Sequence, residues 1–136
     1  MQHPDIHKEL TDYLQTLLKE ASPLMHQNRG YFRYDADVLY LRYGPTVHGM
    51  AVTLATITVA EKDHGKGRCT AYLDAIEAFA EAEGLSIKVE SVTSSILVQC
   101  LLKRNFLMQV GSGFEDLCAD YYRLPKRTAA SNDHTN

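Results

Sequence analysis

The stretch VAEKDHGKGRCTAYL, residues 59–73, sets two glycines, Gly65 and Gly67, between an apolar run and an amphipathic segment. Upstream, MAVTLATITVA (50–60) is rich in Val, Ile and Thr and too continuous for a half-exposed strand, so it reads as a central one. Downstream, Cys69, Tyr72, Leu73, Ile76, Phe79 and Ala80 form one helical stripe, with Arg68, Asp74, Glu77 and Glu81 opposite and Gly84 placed as a stop. A strand that feeds a glycine turn and then a helix gathers main-chain N–H groups and the positive end of a helix dipole at one point. That combination suits a phosphate. Glycine tolerates positive φ and lets the backbone approach an anion closely. The alternative is a solvated loop ahead of a polar helix start.

Working outward, Ile6, Leu10, Tyr13, Leu14, Leu17 and Leu18 recur at helical spacing behind Pro4 and Asp5, predicting a helix from about residue 4 to about residue 20. After SPLMHQNRG (22–30), YFRYDADVLYLRYG (31–44) reads as two strands joined near Asp35 to Asp37, with Gly44 and Pro45 closing the second. In the central run Met50, Val52 and Leu54 share one parity, and Ala55, Ile57 and Val59 the other. A β-bulge would produce such a slip, as would a strand covered on both faces. LSIKVESV (85–92) reads as a strand, Thr93 or Ser94 as an N-cap, Ile96 to Arg104 as a helix, and Asn105 as a left-handed cap. FLMQV (106–110) and DLCADYYRL (116–124) follow as closing strands. The expected architecture is α/β (α+β): a mixed, mostly antiparallel sheet of about six strands flanked by three helices, one domain over 1–124, and a loose polar tail over 125–136.

Composition narrows the function classes. The chain has 136 residues, Lys+Arg 14 against Asp+Glu 17, and a net charge of -3, with no long run of one sign. Neither a nucleic-acid nor an anionic-membrane footprint is present, and no segment approaches the length of an apolar membrane span. Cys69, Cys100 and Cys118 lack metal-ligand spacing, and an odd count argues against a complete disulfide framework, so a reducing, cytoplasmic setting and no metal are expected. Two other phosphate motifs compete, of which the first is excluded and the second, a dinucleotide-binding loop, stays a further alternative. HGKGRCT is not a P-loop, which needs GxxxxGK and then Ser or Thr. A dinucleotide fingerprint finds Glu90 at a suitable distance, but Thr70 stands at its third glycine, and a helix and antiparallel strands precede the motif.

The same stretch resembles the acyl-coenzyme A loop of the GNAT superfamily of N-acetyltransferases, whose pattern is Arg or Gln, two residues, Gly, one residue, then Gly or Ala. His64, Gly67 and Cys69 stand at those positions. The element order from Tyr31 to Leu124 is similar to the GNAT order without its first strand. CLLKRNF (100–106) resembles the family's later Tyr-Glu-Lys-x-Gly-Phe, with Lys103 and Phe106 kept, Asn105 for Gly, and Leu101 where many members carry a tyrosine that protonates the departing thiolate. Ser94 stands where an Asn is frequent.

The resemblance implies acetyl-coenzyme A as acyl donor and direct attack by an amine of a small molecule, or by a lysine or N-terminus of a protein. Its cofactor contacts would fall on Ile57, Thr58 and Val59 for the pantetheine arm and thioester oxygen, and on His64, Gly65, Lys66, Gly67, Arg68 and Cys69 for the diphosphate. Glu90 is the candidate base, with a surface ion pair to Lys88 as its structural alternative. Tyr121 or Tyr122 is the candidate acid. The charge of -3 leans toward a cationic acceptor. A protein-binding module on the same scaffold is the rival reading, and a homodimer would cover the edge left by the absent first strand.

Overall fold

A computed structural model describes residues 4–59, 67–92, 94–109 and 119–125. In chain order these form α1 (Pro4–Lys19), β1 (Asn28–Tyr34), β2 (Asp37–Thr46), β3 (Gly49–Thr58), α2 (Arg68–Glu83), β4 (Ser86–Val92), α3 (Ser95–Lys103), β5 (Leu107–Met108) and β6 (Ala119–Arg123). The expected order and the mixed six-stranded sheet are both found. The sheet runs β1-β2-β3-β4-β6-β5, and only the β3–β4 pair is parallel. A parallel pair needs a crossover, and α2 supplies it. None of the helices is long and apolar enough to cross a membrane, among the described residues.

Alternation along the strands sorts side chains between two faces. One face carries Phe32, Leu39, Leu41, Val52, Leu54, Ile87, Val89 and Tyr121. It is covered by the stripes of α1 (Ile6, Leu10, Leu14, Leu17) and α2 (Tyr72, Leu73, Ile76, Phe79), which lie side by side, with Leu101 and Phe106 completing the core. The other face carries a row set by register, Arg29↔Arg42↔Thr53↔Lys88↔Tyr122.

The parity slip in β3 is a bulge. Leu41 pairs with Leu54 and Tyr40 with Thr56, which leaves Ala55 over and returns Ile57 to the helix-covered face opposite Leu39. Two boundaries differ from expectation. β1 begins at Asn28, inside a segment that reads as breaker-rich, because Gly30 lies beneath Tyr13 of α1. A Cβ at Gly30 would come within 2.1 Å of the Tyr13 hydroxyl oxygen, so any larger residue there would have to displace the Tyr13 side chain. β2 runs on through Gly44 and Pro45 to Thr46, where a two-residue turn joins it to Gly49. Proline is tolerated because β1 stops opposite Tyr43, leaving Pro45 at the free end of the hairpin. Of the closing strands, β5 has two residues and β6 spans Ala119–Arg123; residues 110–118, which include the start expected for the last strand, and 126–136, which hold nearly all of the expected tail, lie outside the described residues.

Candidate functional site

The parallel pair comes apart at its C-terminal end. β3 and β4 pair from Ala51↔Ser86 to Leu54↔Val89, and no pairing between them is described beyond that point. β3 stays with β2 through Thr58. β4 turns toward β6 through an irregularity between Val89 and Val92, where Ser91 takes φ 52° and its N–H donates to Asp120 Oδ1 at 2.8 Å. Ile57 and Val59, both partly buried, and the exposed Thr58 therefore border a split between two parallel strands. Ligands in α/β sheets collect outside the carboxyl ends of such strands.

Both strands lead to helix N-termini. α3 is capped in the ordinary way, the Ser94 hydroxyl accepting from the Leu97 N–H at 3.2 Å. α2 is not: its N-cap is Gly67, at φ 79° and ψ 10°, with no side-chain cap and no acidic residue in the first turn. A Cβ on Gly67 would meet nothing within 4 Å, so the left-handed backbone rather than crowding calls for glycine there. An open, uncapped helix start with unbalanced positive polarity fits a diphosphate.

Arg68 departs from its expected place on the exposed stripe. It is only 7% exposed. Its Nη1 donates to Asp37 Oδ2 at 2.8 Å, its Nη2 reaches Asp35 Oδ2 at 3.2 Å, and its guanidinium lies 5.0 Å from the centre of the Tyr34 ring. Tyr72 donates to the same Asp37 oxygen at 2.5 Å, and Asp37 is fully buried. The side chain of Arg68 thus fastens the first turn of α2 to the β1–β2 turn. Any contact it makes with a phosphate falls to its main chain. Cys69 is partly buried, and desolvation pushes its thiol above the ordinary value. His64, Gly65 and Lys66 lie outside the described residues.

Glu90 and Tyr121 are placed on opposite faces of the sheet. Tyr121, 5% exposed, shares the helix-covered face with Leu101, which is fully buried. Glu90 lines an open cavity of about 850 Å³ on the other face, together with Arg29, Arg42, Thr53, Lys88 and Gln109. Its carboxylate accepts from Arg42 Nη2, and Lys88 Nζ lies 3.7 Å away and also 3.6 Å from Asp120. The Lys88 pair foreseen for Glu90 is present, yet inside a cavity rather than on open surface. Tyr122 is turned to the same face and stacks on His48, ring centres 3.9 Å apart. Arg29 and Arg42 were not singled out in the sequence. The signal available was the alternation of Arg42 and Tyr40 with Leu39 and Leu41, which puts Arg42 on the face away from the core.

No family model matches the chain, and no curated protein matches it at a significant level. Solved structures do. An acetyltransferase of the GNAT family from Streptococcus pneumoniae superposes with a TM-score of 0.52 at 13% identity, over 92% of this chain and 96% of that one. The fold is that of the GNAT acetyltransferases. A GNAT-family acetyltransferase from Staphylococcus aureus gives 0.51 at 12% identity, covering 92% of this chain and 81% of the other. A structure from Corynebacterium glutamicum described as histone acetyltransferase HPA2 and related acetyltransferase gives 0.52 at 15%, covering 95% and 81%. At such identities the likeness shows the GNAT fold alone, so residue roles rest on the geometry of this chain.

Proposed function

We propose that the protein is an N-acetyltransferase that takes its acetyl group from acetyl-coenzyme A and receives its acceptor amine through the open-face cavity. One observation carries this reading: β3 and β4 pair only as far as Leu54–Val89 among the described residues, and Glu90, the next residue of β4, lines the open-face cavity, while α2 opens on an uncapped glycine. The main chain from His64 to Cys69 would hold the diphosphate. Ile57, Thr58 and Val59 line the pantetheine arm and orient the thioester, and the hydroxyl of Ser94 adds a donor at the far wall. When bound, acetyl-coenzyme A supplies an activated acetyl group with a thiol as leaving group.

The chain's own residues bring the amine in and manage protons. Arg42 and Lys88 fix Glu90 at the mouth of the split, where its carboxylate takes the proton of the incoming ammonium directly or through one water. Leu101 can donate nothing, and Tyr121 on the same covered face is the proton donor toward the leaving sulfur. A thiol whose ordinary pKa is about 8.5 leaves tolerably even with little help from an acid, so slow turnover is expected despite Leu101. Thiol release from acetyl-coenzyme A against a panel of amines tests the reading. Glu90→Gln is expected to lower kcat by ~10² to 10⁴ with little change in acetyl-coenzyme A affinity. A wild-type protein that binds the cofactor but releases no thiol with any amine would favour the protein-binding alternative.

A further inference from the structure

The charge in the cavity runs against the charge of the chain. The protein as a whole carries -3, yet among the described residues the open-face cavity is lined by Arg29, Arg42 and Lys88 against the single carboxylate of Glu90. Arg29 and Arg42 stand directly opposite each other on β1 and β2. Like charges so placed repel unless a counter-charge intervenes. Arg42 has one in Glu90, and Lys88 has Glu90 and Asp120. The exposed Arg29 guanidinium has no acidic partner among the described residues. The cavity therefore keeps an unbalanced cation at the β1 wall and a carboxylate beside the split.

We propose that the acceptor is a small amine that also carries a carboxylate, its anionic end bound by Arg29 with Arg42 behind it and its amino end directed to Glu90. The proposal rests on the acetyltransferase reading of the same site. Dimensions agree: β1 and β4 are three strand spacings apart, roughly 14 Å, and long arginine stems bridge part of that gap. A guanidinium offers a two-pronged donor matched to a carboxylate, and such recognition fixes the orientation of a small molecule. On this proposal local charge in the cavity, rather than the net charge that leans toward a cationic acceptor, decides what is bound.

The test uses thiol release from acetyl-coenzyme A with the twenty standard amino acids, β-alanine and γ-aminobutyrate, each beside its carboxamide. At least one free acid is expected to exceed its carboxamide at least tenfold in kcat/KM. Arg29→Ala should raise KM for that acid by about ten- to a hundredfold, the weight of one charge-assisted contact, with kcat nearly unchanged. Arg29→Lys should recover part of the loss. Carboxamides used as well as acids, polyamines preferred over both, KM insensitive to Arg29→Ala, or no acid turned over by a protein that binds acetyl-coenzyme A would each overturn the proposal. Calorimetric titration with acetyl-coenzyme A separates the two levels: absence of cofactor binding overturns the acetyltransferase reading itself.

Discussion

Asp37 is a single buried carboxylate on which an arginine and a tyrosine converge. It accepts from Arg68 and Tyr72, and removing it would leave a guanidinium buried beside the core. Breaking a buried pair from one side costs about 3–5 kcal/mol, so Asp37→Ala is expected to lower unfolding free energy by that order in urea titrations. Tyr72 links stability to pH. Burial first, and the bond to Asp37 second, push its phenol well above the ordinary 10.0. Burial also raises Tyr13 and Cys69 above their ordinary 10.0 and 9.0. A group that releases its proton more readily when unfolded favours the folded state at low pH and withdraws that support as pH climbs. The contribution is full below about pH 9 and falls away above it, through the range where the unfolded thiol and phenols ionise. Urea titrations at pH 8 and pH 10.5 should show a marked loss for the wild type and a smaller one for Tyr72→Phe; equal losses would exclude Tyr72 as a source. Arg68 read from sequence as an exposed partner of phosphate. Periodicity sets Arg68 among the charged residues opposite the apolar stripe, and nothing local announces that Asp37, 31 residues earlier, waits to receive it.

At the scale of elements, α2 is the part on which most depends. Its start is tied by Arg68, and its outer face is tied by Glu77, whose two oxygens accept from Arg104 at 2.8 Å and Arg123 at 2.8 Å. Glu77→Gln should loosen α2 from the end of α3 and from β6 together. The expected cost is about 1–3 kcal/mol, since both guanidiniums are largely buried, and thermal unfolding would check it. The helix, its Gly84 stop and the Asn105 cap at φ 70° were legible because each has a local cause in side-chain period or backbone permissiveness. The β3 bulge was legible as a change of parity, although the cause stayed open until the register with β2 was visible. What could not be read was the length of the edges. Gly30 and Pro45 signal breaks locally, but Gly30 leaves room for the Tyr13 side chain of a distant helix, and Pro45 is permitted because its neighbour strand has ended.

For the whole molecule, the order of elements together with the motif resemblance at residues 59–73 led to the fold, and the single parallel pair with its crossover helix leaves few ways to arrange the remaining antiparallel strands. The two-sidedness of the site was not legible. It arises from register across β1 to β4, which sets Arg29, Arg42, Thr53 and Lys88 in one row and sends Tyr121 to the covered face while Glu90 faces the cavity. The central claim is that the uncapped start of α2 and the split beside it hold acetyl-coenzyme A. Calorimetric titration of acetyl-coenzyme A into the wild type and Gly67→Val tests it most directly. Valine resists the left-handed backbone of that position, at a folding cost of about 1–3 kcal/mol that circular dichroism and urea titration will show the protein to withstand. The account predicts saturable one-to-one binding to the wild type, accompanied by a higher Tm, and at least tenfold weaker binding to the folded variant. A wild type that gives no heat and no rise in Tm at millimolar ligand, or a variant that binds as tightly as the wild type, would contradict it.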